Sequence, residues 1–421
     1  MLKTDVCIIG AGFSGLGAAL KLSHAGYNVM VIEKDPIIGG LAKSFLSKQG
    51  MILESYHHIN AKEDIVLQYI LKFGLRKELV WKKIKSAFWY NNKPVPLTTL
   101  TDIIRFGHIS LKSKLNLIKL GLYVYFKKNY SDLNAISAEQ WLNTIVDKEL
   151  IDTLFTDLVL IKYKALNETS ASWLGEMLHE DVHVRRRYAY LSCGLQHFIN
   201  CFGEAIRKNK GIIHTNNEVI SVNKGFVEMK NHRTNKRWGL QAKIIVSSIP
   251  PPLFNTISKQ RYHELNTITY TPVTCMCCGA RENISAYYRN IFIKSKYSFN
   301  GFFKYTQLNP IVQKEHIYYF FSYQKHTNSQ QKMLEIEKSF IKDINHITSF
   351  KPLWKHSIYT PYGTPFFSVG YKNPPIQLSE ILFLTGVYRE YPTPRTMNSA
   401  LKSGFKTADY IIKKNSKIRY N

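Results

Sequence analysis

The residues most clearly suited to chemistry are three glycines near the N-terminus. Gly10, Gly12 and Gly15 form the pattern G-x-G-x-x-G directly after an apolar run. This spacing allows a tight strand-to-helix turn and lets the backbone approach a diphosphate. The N–H groups at the start of the following helix attract phosphate oxygens, so we also expect Phe13 and Ser14 at the phosphates. The pattern predicts a dinucleotide site.

An acid follows these glycines at the distance expected for a ribose contact. Glu33 comes eighteen residues after Gly15, at the end of a second apolar run. A carboxylate at this position accepts hydrogen bonds from ribose hydroxyls and repels a 2′-phosphate. The acid therefore favours FAD or NAD over NADP.

A second set of candidates is suited to proton transfer. Tyr56, His57 and His58 follow a glycine turn at Gly50. Histidine changes its charge near neutral pH and often acts as a general acid or base. We predict a catalytic role for His58 first and His57 second, with Tyr56 beside them. The alternative is a buried, hydrogen-bonded histidine with only a structural role.

The surrounding sequence predicts the elements that must position these residues. Val6–Ile9 and Val29–Ile32 are short, wholly apolar runs, which are typical of parallel strands buried on both faces. Residues 16–26 between them predict a helix. Strand, glycines, helix, strand and acid in this order predict an α/β protein with a Rossmann-type nucleotide-binding domain.

The segment after the second strand resembles a signature of the FAD-dependent amine oxidase superfamily. That group includes monoamine oxidase, protoporphyrinogen oxidase, phytoene desaturase and UDP-galactopyranose mutase. There, an acid, a six-residue step and a glycine pair cross the FAD diphosphate and ribityl. An arginine often follows the pair, whereas Leu41 follows it here. The chain looks more like the protoporphyrinogen-oxidase-like branch described from bacterial polysaccharide gene clusters than like an amine oxidase. The resemblance implies FAD contacts from Glu33, Lys34, Gly39, Gly40, Leu41 and Ala42.

The C-terminal region resembles the last FAD segment of the same superfamily. Residues 381–384 predict a strand that ends before Gly386, and a helix begins at Met397 with its N-terminus towards the flavin ring. Val219 lies on a strand that resembles the one reaching the adenine. The resemblance also implies that the histidine segment lies over the flavin. No cysteine follows Cys278, so we expect noncovalent FAD.

The resemblance implies a chain folded from interleaved pieces, with a substrate domain beside the nucleotide domain. We assign residues 1–90, 195–255 and 375–421 to the FAD-binding domain. A helical, basic insertion is expected over 91–190, and a mixed substrate-binding sheet over 256–375.

Four further residues are candidates for substrate binding. Lys162 lies where relatives place a basic residue near the substrate, and Arg185 begins a run of three arginines suited to a phosphate. Tyr359 and Tyr362 would line the pocket. The alternatives are a solvated basic turn and an aromatic core. No zinc-type cysteine spacing occurs, so we expect no metal and reduced thiols.

The charge balance favours anionic partners. The chain has 57 Lys and Arg against 30 Asp and Glu, a net charge of +27. Residues 111–125 have the spacing of a basic amphipathic helix, which suits an anionic membrane surface. A packed helix with solvated lysines explains the same pattern. We expect no nucleic-acid partner, because no such motif is present. We expect a cytoplasmic protein, or one held peripherally on the inner membrane face.

These features predict an FAD-dependent oxidoreductase, either a dehydrogenase or an oxidase. Its substrate would be a small molecule or a lipid- or nucleotide-linked sugar precursor that gives a hydride to flavin N5. Two alternatives remain open. One is a flavin-dependent pyranose/furanose mutase without net redox change, and the other is a non-catalytic binding protein on the same fold.

Overall fold

The computed structural model describes residues 2–48, 50–97, 99–160, 164–184, 187–310, 314–326 and 328–419. Its strands, in chain order, are β1 (Leu2–Ile9), β2 (Val29–Ile32), β3 (Ser44–Ser47), β4 (Gly50–Leu53), β5 (Ile59–Asn60), β6 (Leu79–Lys83), β7 (Ser86–Tyr90), β8 (Lys93–Pro96), β9 (Arg187–Leu191), β10 (Ile212–His214), β11 (Asn217–Asn223), β12 (Phe226–Asn231), β13 (Arg237–Ser247), β14 (Tyr270–Ala280), β15 (Arg289–Phe292), β16 (Gly301–Lys304), β17 (His316–Ser322), β18 (Trp354–Pro365) and β19 (Leu382–Leu384).

Helices pack on the two large sheets described below, and a further group of helices forms the insertion. They are α1 (Phe13–His24), α2 (Asp64–Lys72), α3 (Leu100–Arg105), α4 (Leu111–Phe126), α5 (Ala138–Asn143), α6 (Lys148–Leu150), α7 (Thr156–Leu160), α8 (Ala171–His183), α9 (Leu195–Lys208), α10 (Pro251–Ile257), α11 (His263–Asn266), α12 (Gln330–Asn345) and α13 (Met397–Arg419). The mixture of sheets and helices confirms the predicted α/β class.

The first sheet carries the nucleotide-binding turn. Its order is β10-β2-β1-β13-β12-β11, with β19 also paired to β13, and β1 runs parallel to β2 and β13. Val6 and Ile8 face α1 and α13, whereas Cys7 and Ile9 face a second core with Phe254. Burial on both faces explains why these strands are wholly apolar.

Helix α13 reaches this sheet by packing closely on α1. A Cβ on Gly404 would lie 2.3 Å from the carbonyl oxygen of Ser14, and one on Gly17 would lie 3.3 Å from the Leu401 side chain. The absent side chains let the two helix backbones approach each other. The N-terminus of α13 is thereby brought to the same end of the sheet as the turn.

The second sheet has the order β18-β14-β17-β16-β15-β7-β8. One face, which includes Cys275 and Phe321, packs on Leu53 in β4, and the other face is covered by α12. The boundary expected at residue 90 differs from the structure. Strand β7 pairs in parallel with β15, so residues 86–90 belong to this sheet rather than to the nucleotide-binding unit.

The insertion is helical from α3 to α8 and has its own core. Phe106, Leu120, Tyr130, Trp141 and Trp173 are buried together in it. Within the described ranges, no helix combines the length and apolarity needed to cross a membrane.

Candidate active site

The three glycines form the predicted turn. Gly10 has a φ of 98°, and its N–H donates to the Ile32 carbonyl at 2.8 Å, which joins the turn to β2. A Cβ on Gly15 would lie 2.1 Å from the Gly10 carbonyl oxygen, so only glycine lets α1 start this close to β1. Helix α1 begins at Phe13, and its N-cap is Gly12, which has no side chain that could cap the first turn. The N–H groups of that turn have no partner within the helix.

The glycine pair lies directly against this turn. The Gly39 N–H donates to the Ala11 carbonyl at 2.9 Å, and Gly39 forms a backbone bridge with Gly12. Gly40 has a φ of 57°, and a Cβ there would lie 3.1 Å from the Gly12 Cα. The two segments cross with no side chain between them. This backbone surface at a helix N-terminus suits a diphosphate, so the residues present fit the phosphates of FAD.

Glu33 is buried beside the turn, as its predicted ribose role requires. Its Oε2 accepts the Ala11 N–H at 2.7 Å, and its Oε1 accepts the Asp35 N–H at 2.9 Å. Burial raises the pKa of Glu33 above its ordinary value. Each carboxylate oxygen has a further lone pair with which it can accept a ribose hydroxyl. Asn217, two residues before the buried Val219, donates its N–H to the Glu33 carbonyl at 2.8 Å, so β11 borders the same place.

The residues around the glycine pair differ in exposure. Lys34 and Leu41 are exposed, and Ala42 is buried. Lys43 Nζ lies 2.5 Å from Asp35 Oδ2 and 3.4 Å from an oxygen of Glu54, and thus ties this segment to the histidine segment.

The C-terminal FAD segment has the expected order of strand, glycine and helix. The Gly386 N–H donates to Ser403 Oγ on α13 at 2.9 Å. A Cβ on Gly386, whose φ is 154°, would lie 2.4 Å from the Tyr388 ring. Met397 is buried at the first position of α13. The helix N-terminus is therefore positioned by the strand that precedes it.

The predicted catalytic segment begins beside the glycine pair. The Ser55 hydroxyl donates to the Leu41 carbonyl at 3.0 Å, and His57 Nδ1 lies 3.1 Å from the Ser55 carbonyl. A carbonyl only accepts, so Nδ1 carries the proton and Nε2 is the basic atom of the His57 ring. Burial lowers the pKa of His57 to about 4, and nearby Arg395 acts in the same direction. His57 is therefore neutral near pH 7.

Tyr56 and His58 continue into an aromatic wall. The Tyr56 ring stacks on Phe303 at 3.9 Å, and its hydroxyl lies 3.1 Å from the Tyr323 hydroxyl. His58 Nδ1 lies 3.1 Å from the Tyr288 hydroxyl. The wall therefore joins the histidine segment to the second sheet, and we define it by Tyr56, His58, Tyr188, Tyr288 and Phe303.

A cation that no sequence pattern singles out also lies at this wall. Arg289, on β15, lies 3.6 Å from Asp181 on α8, and its charge acts on Tyr56 and Tyr188. A single arginine at a strand start has no distinguishing pattern, so only the fold brings it here. Its side chain is half-buried, and the guanidinium has further N–H donors with which it can orient an anionic group.

A buried acid at the start of α13 was also missed. Glu63 Oε1 accepts the Asn398 N–H at 3.4 Å, and the Asn398 side chain in turn accepts the N–H groups of Ile65 and Val66. The two residues thus cap each other's helices. Burial raises the pKa of Glu63 to about 8. No sequence pattern marks Glu63, because the helix that it caps lies more than 300 positions away in the chain.

Two of the four predicted substrate residues, Tyr359 and Tyr362, are among the described residues. Tyr359 and Ile358 are adjacent on β18, and Ile358 packs with the core that contains Tyr56. Because side chains alternate along a strand, Tyr359 projects from the opposite face, where its hydroxyl accepts the His326 N–H at 3.3 Å. Tyr359 therefore lies away from the aromatic wall, and its place in the pocket lining stays a prediction.

Tyr362 lies elsewhere on the same strand, with its ring edge against Tyr270 at 5.5 Å. Lys162 and Arg185 lie outside the described residues. Their roles, like that of Tyr362, stay predictions. No cluster of potential metal ligands occurs in the described part of the chain.

Comparison with known proteins identifies the relatives of this fold. The model of the family "Flavin containing amine oxidoreductase" matches residues 13–292, about two thirds of the chain. An L-amino acid oxidase of Crotalus durissus cumanensis is 26% identical over 245 residues, which are 53% of this chain and 48% of that protein. The chain thus spans about half the length of the curated relatives it matches.

Solved structures share the fold over nearly the whole chain. A putative protoporphyrinogen oxidase from Exiguobacterium sp. 255-15 has a TM-score of 0.76 at 16% identity, covering 98% of this chain and 100% of that one. A reduced UDP-galactopyranose mutase has a TM-score of 0.73 at 13% identity, with 97% and 96% covered. At these identities the likeness shows the fold alone.

Proposed function

This chain belongs to the flavin containing amine oxidoreductase family, and on that premise we propose that it is an FAD-dependent oxidoreductase. When FAD is bound, it supplies the acceptor for a hydride lost by an organic substrate. The observation that carries the proposal is the crossing of two glycine segments at the N-terminus of α1. It supports noncovalent binding of the diphosphate by backbone N–H groups.

The chain's own residues would bind the cofactor, exclude water and transfer protons. Glu33 would hold the adenosine ribose, and the start of α13 would face the ring end of the cofactor. The aromatic wall excludes water from the reacting atoms. His57, which is neutral, would accept a proton through Nε2, and His58 would hold or pass one beside Tyr288.

The substrate is proposed as a small molecule with a hydridic C–H bond. The family's name supports a bond next to nitrogen. A lipid- or nucleotide-linked sugar precursor is the narrower candidate, because the half-buried Arg289 and the net charge of +27 favour an anionic group. Such a precursor would be met at the inner face of a membrane, which is the location we propose.

The visible spectrum of the purified protein tests the cofactor. We expect a yellow protein whose flavin is bleached by its substrate under anaerobic conditions. Activity that appears only after prior reduction would instead identify a mutase. A colourless protein that takes up no FAD would contradict both enzymatic functions and leave a binding protein.

A matched pair of glycine variants tests the site itself. Gly40→Ala should abolish FAD uptake, because the new Cβ would lie 3.1 Å from the Gly12 Cα. Gly74→Ala is the control, since Gly74 also has a positive φ, of 74°, but has nothing within 4 Å of its added Cβ. Equal flavin content in the two variants would show that the crossing does not bind FAD.

A further inference from the structure

Helix α4 turns an apolar stripe away from the protein. Its buried positions are Ser113, Leu120 and Val124, on one side of the helix. The opposite side carries large apolar side chains that are 56–73% exposed, namely Leu111, Leu115, Leu122 and Phe126. They recur at the spacing of one helix face. The apolar face read from the sequence is therefore not the face that packs on the core.

Contacts on the inner side fix this orientation. The Ser113 hydroxyl lies 2.7 Å from a carboxylate oxygen of Asp147 and 2.6 Å from one of Glu149. The Val124 carbonyl lies 2.7 Å from His179 Nδ1 on α8. Turning the stripe inward would break these hydrogen bonds and expose Leu120.

Helix α3 extends the exposed surface. Leu100 and Ile104 are 57% and 60% exposed, and Lys114 Nζ on α4 donates to the Ile104 carbonyl at 2.7 Å. Together these two helices form one surface, the α3–α4 apolar face, defined by Leu100, Ile104, Leu111, Leu115, Leu122 and Phe126. Monomeric proteins seldom leave a continuous apolar surface of this kind uncovered.

Positive charge surrounds the α3–α4 apolar face. Residues 100–126, which span both helices, contain four Lys and Arg and one acid, Asp102, which caps α3. Lys112 and Lys119 are exposed on the flank of the stripe. Asp147 and Glu149, the acids bonded to α4, lie on its inner side through Ser113.

We propose that the α3–α4 apolar face docks on an anionic lipid bilayer, with α4 lying in the plane of the interface. Leu and Phe side chains would enter the acyl boundary while the flanking lysines meet lipid phosphates. A second copy of the chain is a poor occupant, because two faces with this charge repel each other. This face would hold the protein at the membrane location proposed above, and its binding to lipid does not depend on the redox chemistry.

The docked face would stand next to the candidate active site. Helix α8 packs on α4, with the Tyr125 ring stacked on His183 at 4.7 Å. Two residues earlier, Asp181 pairs with Arg289 at the aromatic wall. One helix thus connects the docking surface to Arg289, which suits a substrate with an anionic head group and a lipid tail.

Vesicle flotation of the full flavin-loaded chain tests the proposal. We expect binding to phosphatidylcholine vesicles that contain phosphatidylglycerol, and little binding to phosphatidylcholine alone. Salt should weaken it, because the lysines act through screened charge. The double variant Leu115→Ser/Leu122→Ser should bind on the order of a hundredfold more weakly. Lys112→Gln/Lys119→Gln should lose roughly fivefold per lysine.

Helix α12 offers matched controls, since it has the same length and lies elsewhere. Leu334→Ser and Lys338→Gln/Lys342→Gln replace exposed residues of the same types there and should bind like the wild type. The proposal is overturned if wild-type chain does not float with anionic vesicles at low salt, or if control and α4 variants lose equally. A wild-type dimer that Leu115→Ser/Leu122→Ser dissociates, without vesicle binding, would assign the face to a second copy. Flavin content and bleaching, measured on the same samples, show separately whether the proposed function holds.

Discussion

The nucleotide-binding unit and the helical insertion use apolar helices in opposite ways. In α1, ten of twelve residues are buried between the first sheet and α13, whereas in α4 only three of sixteen are buried. Glycines account for the difference. Gly15 and Gly17 let neighbouring backbone atoms approach α1 closely, whereas nothing lies within 4 Å of a Cβ on Gly121 in α4. Helix α1 is packed against protein on nearly every side, whereas α4 is packed on one side only. Apolar periodicity alone does not distinguish them.

The largest expected effect comes from the same substitution in each helix. Gly15→Ala puts a methyl group 2.1 Å from a backbone carbonyl oxygen, so we expect loss of FAD and about 3 kcal/mol of stability. Gly121→Ala should stabilise the protein by about 0.5–1 kcal/mol, because alanine favours a helix and meets no obstacle. Flavin content and denaturant unfolding measure both. Similar results for the two variants would remove the distinction between the helices.

A leucine pair tests which face of α4 belongs to the core. Leu120→Ala leaves a cavity in the insertion and should cost about 2–5 kcal/mol. Leu115→Ala changes an exposed side chain and should stay within about 0.5 kcal/mol of the wild type. Chemical denaturation of the two variants gives the comparison. A larger loss for Leu115→Ala would mean that the stripe is packed against protein.

Whether a site residue could be predicted depends on how far apart in the chain its interacting residues lie. The turn at Gly10, Gly12 and Gly15 could be predicted because the need for glycine there is set by the backbone within a few residues. Arg289 and Glu63 were missed because their partners lie far away in the chain. The face on which Tyr359 lies could not be predicted, because the face of a strand residue depends on the register with its neighbours.

The orientation of α4 was undecidable for a related reason. Leu120 and Val124 on one side are as apolar as Leu111 and Leu122 on the other, so the sequence offers two candidate core faces. The hydrogen bonds from Ser113 to the loop at 147–149 select between them, and they form only in the folded chain. The family signature, in contrast, predicted the fold class and the cofactor without any such choice.

A variant of the aromatic wall should separate turnover from binding of FAD by the nucleotide-binding unit. His58→Ala should retain FAD, because the glycine segments of that unit hold the cofactor, and reduce flavin bleaching by substrate about a hundredfold. Tyr288→Phe removes only the hydroxyl next to His58 Nδ1 and should cost roughly fivefold. Anaerobic stopped-flow bleaching measures both rates. Unchanged bleaching in His58→Ala would exclude His58 from the mechanism.

The last prediction concerns Glu63, at the junction of α2 and α13 within the nucleotide-binding unit. Burial raises the pKa of this carboxyl to about 8, well above its ordinary value of 4.5. The unfolded chain releases the proton first, so the folded state holds more protons between these values and its stability falls as pH rises. His57, with a pKa lowered to about 4, acts in the opposite direction below pH 6.5. Above about pH 6.5 the contribution of His57 no longer changes with pH, so a Glu63 variant can reveal the share of Glu63 between pH 6.5 and 8.

Glu63→Gln should remove that fall in stability, because the amide has no proton to release but can still accept the N–H groups at the start of α13. The melting temperature of the variant would then be flatter between pH 6.5 and 8 than that of the wild type. Glu335→Gln, at an exposed position of α12, should keep the wild-type slope. A wild-type slope in Glu63→Gln would mean that Glu63 is already ionised in the folded protein. The junction of α2 and α13 would then be held by a charge rather than by a neutral cap.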